Sequence, residues 1–131
     1  MDKKAIYRHL NEGKDEKTIW VTGNTAIDAL NTTIKQEYTD ENIEWAKGKR
    51  LIIITAHRRE NIGEPMYNMF RAIKRVLDEH DDVRAIYPIH MNPVVREAAK
   101  QELGDCDRVH IIEPLEVLDF HNFLARSYMI L

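Results

Sequence analysis

Leu51-Ile52-Ile53-Ile54-Thr55-Ala56-His57-Arg58-Arg59-Glu60-Asn61-Ile62-Gly63-Glu64-Pro65 is the stretch whose reading decides the fold. Its apolar opening shows no alternation, which suits a strand buried on both faces, as parallel strands are, rather than one face of a hairpin. The run then gives way at once to an imidazole, two guanidiniums, a carboxylate and an amide. A polar cluster at the carboxyl end of a buried strand sits where open α/β sheets bind ligands. Two guanidiniums beside an imidazole suit an anion, with phosphate the first chemistry to consider.

Downstream the pattern is regular. After the strand Leu51–Ala56, a helix is predicted from near Glu64, with Pro65 in its first position and Met66, Met69, Phe70, Ile73, Val76 and Leu77 on one face. A second strand, Val83–Ile89, leads through His90-Met91-Asn92 to a helix opened by Pro93 and capped by Asn92. Val94, Val95, Ala98, Ala99 and Leu103 follow, and Gly104 stops it. A third strand, Val109–Glu113, meets Pro114, and a third helix carries Val117, Phe120, Phe123 and Leu124. Tyr128–Leu131 begins a fourth apolar strand, and Leu131 reads as a cut edge. Strand and helix alternating at this spacing predict right-handed βαβ units: an α/β fold with a parallel sheet and helices outside it.

Upstream the signals are weaker. Helical potential gathers around Ala5, Ile6 and Leu10, and Thr18-Ile19-Trp20-Val21-Thr22 reads as a short strand closed by Gly23-Asn24. A helix from Thr25 places Ile27, Leu30 and Ile34 at the spacing of a buried stripe. The segment from about Gln36 to Arg50 is polar apart from Tyr38, Ile43 and Trp45, and reads as a surface connection.

Bulk properties narrow the class. The 131 residues suffice for one domain with a real core, and a net charge of −3 offers no global basic field for nucleic acid. One cysteine, Cys106, excludes an intrachain disulfide and fits a reducing cytoplasm, while no run approaches a membrane span. No Walker-type loop or dinucleotide fingerprint appears among the five scattered glycines, and the only serine, Ser127, lies in no nucleophile elbow. No histidine pair falls at a ligand spacing, so no metal site is expected.

If the strands are parallel, their carboxyl ends share one rim. That rim collects His57-Arg58-Arg59-Glu60-Asn61, His90-Met91-Asn92 and Glu113-Pro114-Leu115, and the helices opening at Pro65 and Pro93 aim their N-termini towards it. A phosphate or pyrophosphate site is the coherent reading. Taken singly, Arg59 and Glu60 also read as a solvated loop or structural ion pair, and His90 as a partner of neighbouring backbone. His9, His80, His110 and His121 read as surface or packing residues.

Four signatures carry a resemblance. Val21-Thr22-Gly23-Asn24-Thr25-Ala26-Ile27-Asp28-Ala29-Leu30, Thr55-Ala56-His57-Arg58-Arg59-Glu60-Asn61, Tyr87-Pro88-Ile89-His90-Met91-Asn92-Pro93-Val94-Val95-Arg96-Glu97 and Ile112-Glu113-Pro114-Leu115 occur in order. Together they resemble the non-hydrolysing bacterial UDP-N-acetylglucosamine 2-epimerases, from about residue 15 onward. The resemblance implies a three-layer Rossmann-like sheet within a two-domain glycosyltransferase-B-like fold. Residues 1–48 would be the end of the N-terminal domain and the crossover, and 49–131 the first half of the C-terminal UDP-binding domain. It implies reversible conversion of UDP-N-acetylglucosamine to UDP-N-acetylmannosamine by anti elimination of UDP and re-addition with inversion at C2, with no cofactor and no metal. The product would feed cell-wall polysaccharide biosynthesis in the cytoplasm.

Residue by residue, His57 matches the family's active-site histidine near the diphosphate. Glu113, Pro114, Leu115 and Phe120 match substrate-contacting positions, those around Leu115 and Phe120 lying at the uridine. Arg58 and His90 match positions lining a second, allosteric UDP-N-acetylglucosamine site of some members. The implied partners are UDP and UDP-N-acetylglucosamine, with no nucleic acid, no membrane and a homodimer in the full-length enzyme. The family's C2 acid/base carboxylates and its Asp-Ser-Gly-Gly diphosphate grip have no match here, so the expectation is a central fragment of an epimerase, inactive alone. The alternative is a non-catalytic nucleotide-sugar binding or regulatory module using Arg58 and His90. A third reading is a structural piece that self-associates through the sheet edge at Tyr128–Leu131.

Overall fold

The computed structural model describes residues 3–20, 23–56 and 61–131, without the side chains of residues 3–6. The chain divides into two compact units, Met1–Thr33 and Ile34–Leu131.

The first unit holds helix α1 (Lys3–Asn11), a 3-10 turn at Glu16–Thr18 and helix α2 (Thr25–Thr33). The strand expected at Thr18–Thr22 is not seen in its described part. The Asp15 carboxylate accepts from the Lys17 N–H at 3.0 Å, and Thr18 Oγ1 donates to the Asp15 carbonyl at 2.7 Å. Such local bonds compete with extended backbone and win here. Val21 and Thr22 lie outside the described residues. Helix α2 forms as expected, but none of its residues is buried, and Ile27 is 61% exposed. No described residue of this unit is fully buried, so its stripe has no core to enter.

The second unit explains the unbroken apolar run. Strands β1 (Arg50–Ile53), β2 (Val83–Pro88), β3 (Val109–Ile112) and β4 (Met129–Ile130) form one sheet in the order β3-β2-β1-β4, with every pairing parallel. Helix α3 (Glu41–Trp45) precedes β1, and helices α4 (Glu64–Glu79), α5 (Pro93–Leu103) and α6 (Val117–Arg126) connect the strands. Ile52 and Ile54 enter a core with Met66, Phe70, Ile73 and Leu77 of α4 and Val95, Ala98, Ala99 and Leu103 of α5. Leu51 and Ile53 point the other way, into a second core with Ile86, Ala46 and Phe123 of α6. Successive side chains of a strand face opposite sides, so the stretch from Leu51 to Ile54 needs an apolar residue at every position.

Helix boundaries follow local chemistry. Gly63 opens α4 at φ 97°, a backbone that strains any residue with a Cβ, and Pro65 sits within its first turn. Asn92 caps α5, its side-chain oxygen accepting from the Val94 N–H at 3.0 Å. Gly104 ends α5, but not through a left-handed backbone. Its φ is −66°, and a Cβ there would collide with the Lys100 carbonyl oxygen.

The segment from Gln36 to Arg50 is more than a surface connection. It contains α3, capped by Asp40, and Tyr38, Ile43 and Trp45 pack against the second core, where Ala46 is buried. Polar bonds pin the residues before it to α6. The Asn122 side-chain oxygen accepts from the Lys35 N–H at 2.9 Å, and Arg126 donates to the Lys35 carbonyl at 2.9 Å. The Tyr38 hydroxyl donates to Asp119 at 2.8 Å. Sparse apolar residues in a polar stretch are enough to dock it when the receiving helix also satisfies its backbone.

At the sheet's upper end, Tyr87 is fully buried, and its hydroxyl donates to the Ala56 carbonyl at 2.8 Å. Replacing Phe123 by Ala empties the centre of the second core and is expected to cost about 3–5 kcal/mol in urea denaturation. Replacing Tyr87 by Phe orphans the Ala56 carbonyl and is expected to cost about 1–3 kcal/mol at neutral pH. Burial pushes the Tyr87 hydroxyl from 10.0 up to about 12. Its contribution is therefore complete below pH 10 and lost as pH rises to about 12. Tyr87→Phe should accordingly flatten the fall in stability across that window, measured by denaturation at stepped pH.

Candidate functional site

The carboxyl ends of β1, β2 and β3 open onto one groove of about 380 Å³. Ile54, Thr55 and Ala56 form its floor beyond β1, Pro88 to Met91 one wall beyond β2, and Pro114, Leu115 and Phe120 the other. This is the rim predicted from the strand ends, and the parallel pairing of the strands explains why three loops converge there.

The floor is held at several points. Ile54 N–H donates to the Ile86 carbonyl at 3.0 Å, and the Tyr87 hydroxyl holds Ala56. The Leu131 carbonyl accepts from both the N–H and the Oγ1 of Thr55, at 2.6 and 2.9 Å. Across the wall, Ile89 N–H donates to the Ile112 carbonyl at 2.9 Å, extending the β2–β3 ladder past its last paired residues.

His90 occupies the lip and is exposed. Its Nδ1 accepts from the Asn92 N–H at 3.1 Å, which makes the neutral ring a donor at Nε2. The backbone role considered for His90 is therefore real, and it leaves the other nitrogen able to donate to an anion. Helix α6 begins beside the same wall, with no side chain capping its N-terminus. Its first-turn N–H groups add to the capacity of this rim for negative charge.

The expected site residues divide into three sets. Pro114, Leu115, Phe120 and His90 line one groove. Glu113 does not: its carboxylate turns outward onto Arg96, whose Nη1 and Nη2 donate to it at 2.9 and 2.6 Å, beside a separate hollow of about 310 Å³. The pairing holds the Glu113 carboxyl below the usual carboxylate range and raises Arg96. His57 and Arg58 lie outside the described residues, as do Arg59 and Glu60.

Arg96, Met91 and Tyr87 escaped sequence reasoning as individual contributors. Tyr87 sits inside a strand and reads as core, which it also is. Arg96 lies in the first turn of α5, where a cation opposes the helix dipole, and that misfit was the one signal available.

The groove is mostly apolar, with polar groups at its lip. Such a slot accepts a flat, partly apolar ring inside and charged groups at the opening. Among the described residues no three of His, Cys, Asp or Glu gather as a metal site, and no helix is long and apolar enough to cross a membrane.

Comparison with known proteins agrees with this geometry. A family model described as UDP-N-acetylglucosamine 2-epimerase matches residues 2–131. The chain is 58% identical over 122 residues to the UDP-N-acetylglucosamine 2-epimerase of Bacillus subtilis, covering 93% of this chain and 32% of that protein. Its structure is similar to S. aureus MnaA in a co-structure with UDP, with TM-score 0.92, 49% identity, and coverage of 98% of this chain and 35% of that one. It is also similar to the UDP-GlcNAc 2-epimerase from Neisseria meningitidis bound to UDP-GlcNAc, with TM-score 0.84, 32% identity, and coverage of 98% and 37%. The chain thus spans about a third of the length of the relatives it matches. A family match that runs across nearly every residue has one consequence: this chain belongs to the UDP-N-acetylglucosamine 2-epimerase family.

Proposed function

We propose that this chain supplies the uridine-holding wall and part of the diphosphate rim of an enzyme interconverting UDP-N-acetylglucosamine and UDP-N-acetylmannosamine. The observation that carries the reading is the groove itself, apolar between Leu115, Phe120 and Pro114 and edged by His90, in a chain of this family. Relatives solved with UDP or UDP-GlcNAc support the ligand class.

In this reading residues 1–48 close an N-terminal domain and cross over, and 49–131 begin the UDP-binding domain. The uracil ring lies between Leu115 and Phe120, and the Glu113-Pro114 turn shapes the slot. His57 stands at the diphosphate and steadies its charge as the bond from C1 to the UDP oxygen breaks. A proton leaves C2 on the opposite face, giving a glycal. UDP then re-adds at C1 while a proton returns to the other face of C2. Arg58 and the His90 Nε2 hold a second UDP-N-acetylglucosamine that regulates turnover. The full-length enzyme acts as a cytoplasmic homodimer in cell-wall polysaccharide synthesis.

Proton abstraction needs a base within hydrogen-bonding reach of C2. This reading assigns that base to residues beyond these 131, so the chain alone should bind nucleotide without epimerising. A thermal-melt titration tests the binding half. UDP at about 100 times its dissociation constant should stabilise the fold by about 2.7 kcal/mol, an upward shift of several degrees. A cooperative melt that UDP leaves unmoved would remove the nucleotide reading. Formation of UDP-N-acetylmannosamine by the chain alone would move the C2 chemistry onto residues present here. Loss of UDP-N-acetylglucosamine binding in Arg58→Ala but not in His57→Ala would favour a regulatory module instead.

A further inference from the structure

The Arg96 guanidinium touches both loops that wall the groove. Its two terminal nitrogens donate to the Glu113 carboxylate at 2.9 and 2.6 Å, and Nη2 also donates to Met91 Sδ at 3.2 Å. Met91 belongs to the loop after β2, Glu113 to the loop after β3, and each adjoins residues that line the groove. The Nε of Arg96 is buried and has no hydrogen-bond partner among the described residues. A buried donor left unsatisfied is costly, so the position of this side chain is maintained by what its fork achieves elsewhere.

Surface ion pairs hold little by themselves, but a planar two-point fork also fixes an angle, which a lysine ammonium does not. Here the carboxylate precedes Pro114, whose fixed φ passes that angle on to Leu115. On the opposite wall the sulfur contact draws Met91, 64% exposed, towards the same guanidinium.

We propose that Arg96 is a positioning residue, a clamp that joins the two loops and sets the separation of Met91 from Pro114 and Leu115 across the groove. The proposal rests on the reading of that groove as the uridine slot, and it adds a residue that touches no ligand.

The test uses the 131-residue chain with UMP and UDP as probes, in isothermal titrations and in spectra of methyl-labelled methionine and amide-labelled leucine. Arg96→Lys keeps the charge and loses the fork; Glu113→Gln keeps the shape and loses the charge. Each should weaken UMP and UDP by the same factor, roughly tenfold, as expected for loss of a charged hydrogen-bond pair. The double variant should be no weaker than either single one, because the two residues act as a unit. The Met91 methyl and Leu115 amide resonances should move in both single variants, while the melting temperature, which a merely structural role would lower, stays close to that of the unaltered chain.

Unchanged affinity in both variants, with the unaltered chain binding normally, would overturn the clamp and leave the nucleotide reading standing. A drop for UDP alone would also overturn it, since the pair would then act on the diphosphate. If the unaltered chain binds neither nucleotide, the nucleotide reading falls. The clamp is then judged on the resonances, and a Leu115 amide unmoved by Arg96→Lys refutes it.

Discussion

Burial of β1 on both faces is the constraint on which the rest depends. Ile52 and Ile54 are committed to the core beneath α4 and α5, and Leu51 and Ile53 to the core beneath α6 and α3. A slip of one residue would exchange the two faces, but Leu51 to Ile54 are all apolar, so alternation does not set the register. The ends do. Arg50 is bound by Asp82 at one end, with contacts at 2.7 and 2.8 Å, and Ala56 by Tyr87 at the other. Ala56, in the floor of the groove, is thereby held at a fixed height.

That height turns a sheet into a site. Strand β1 has β2 on one side and β4 on the other, so the chain reverses its direction of growth across β1. The groove lies on the β2 side of that reversal: α4 and α5 pack in one core and α6 in the other, so the loop after β3 leaves by the face opposite to the loops after β1 and β2. Ala56 in the floor and Ile89 in one wall are buried core residues, so the depth of the groove is decided by the core as well as by the loops. The polar groups described at the lip are His90 Nε2 and the uncapped start of α6.

Much of this was legible because long, two-faced burial leaves a long apolar signature. The three strands before β4, the helix openings at Pro65 and Pro93 and the cap at Asn92 rest on short-range chemistry that a sequence displays directly. The misses share a different cause. Tyr38, Ile43 and Trp45 are isolated apolar residues in polar company, and only α6 and the second core, far along the chain, give them somewhere to go. Ile27 shows the converse, since helical spacing predicts a stripe but not whether its unit has a core. Glu113 stands next to Pro114 in a recognisable turn, yet its carboxylate direction is decided by Arg96 on another element. Pairing across elements carries no local signal.

Asn122 imposes a limit on how this sequence can drift. It is the one fully buried polar residue among those described, and it uses both ends of its amide: the oxygen receives Lys35 N–H and Arg126, and the nitrogen donates to the Leu118 carbonyl. Aspartate would keep the acceptor but surrender the donor, and leucine would match the volume while orphaning every partner. Glutamine carries both functions on a stem one carbon too long for a packed interior. Position 122 therefore has no conservative neighbour in the genetic alphabet. An invariant asparagine there, in an alignment of this family, would record how the segment around Lys35 is seated on α6 and should not be taken for a mark of catalysis.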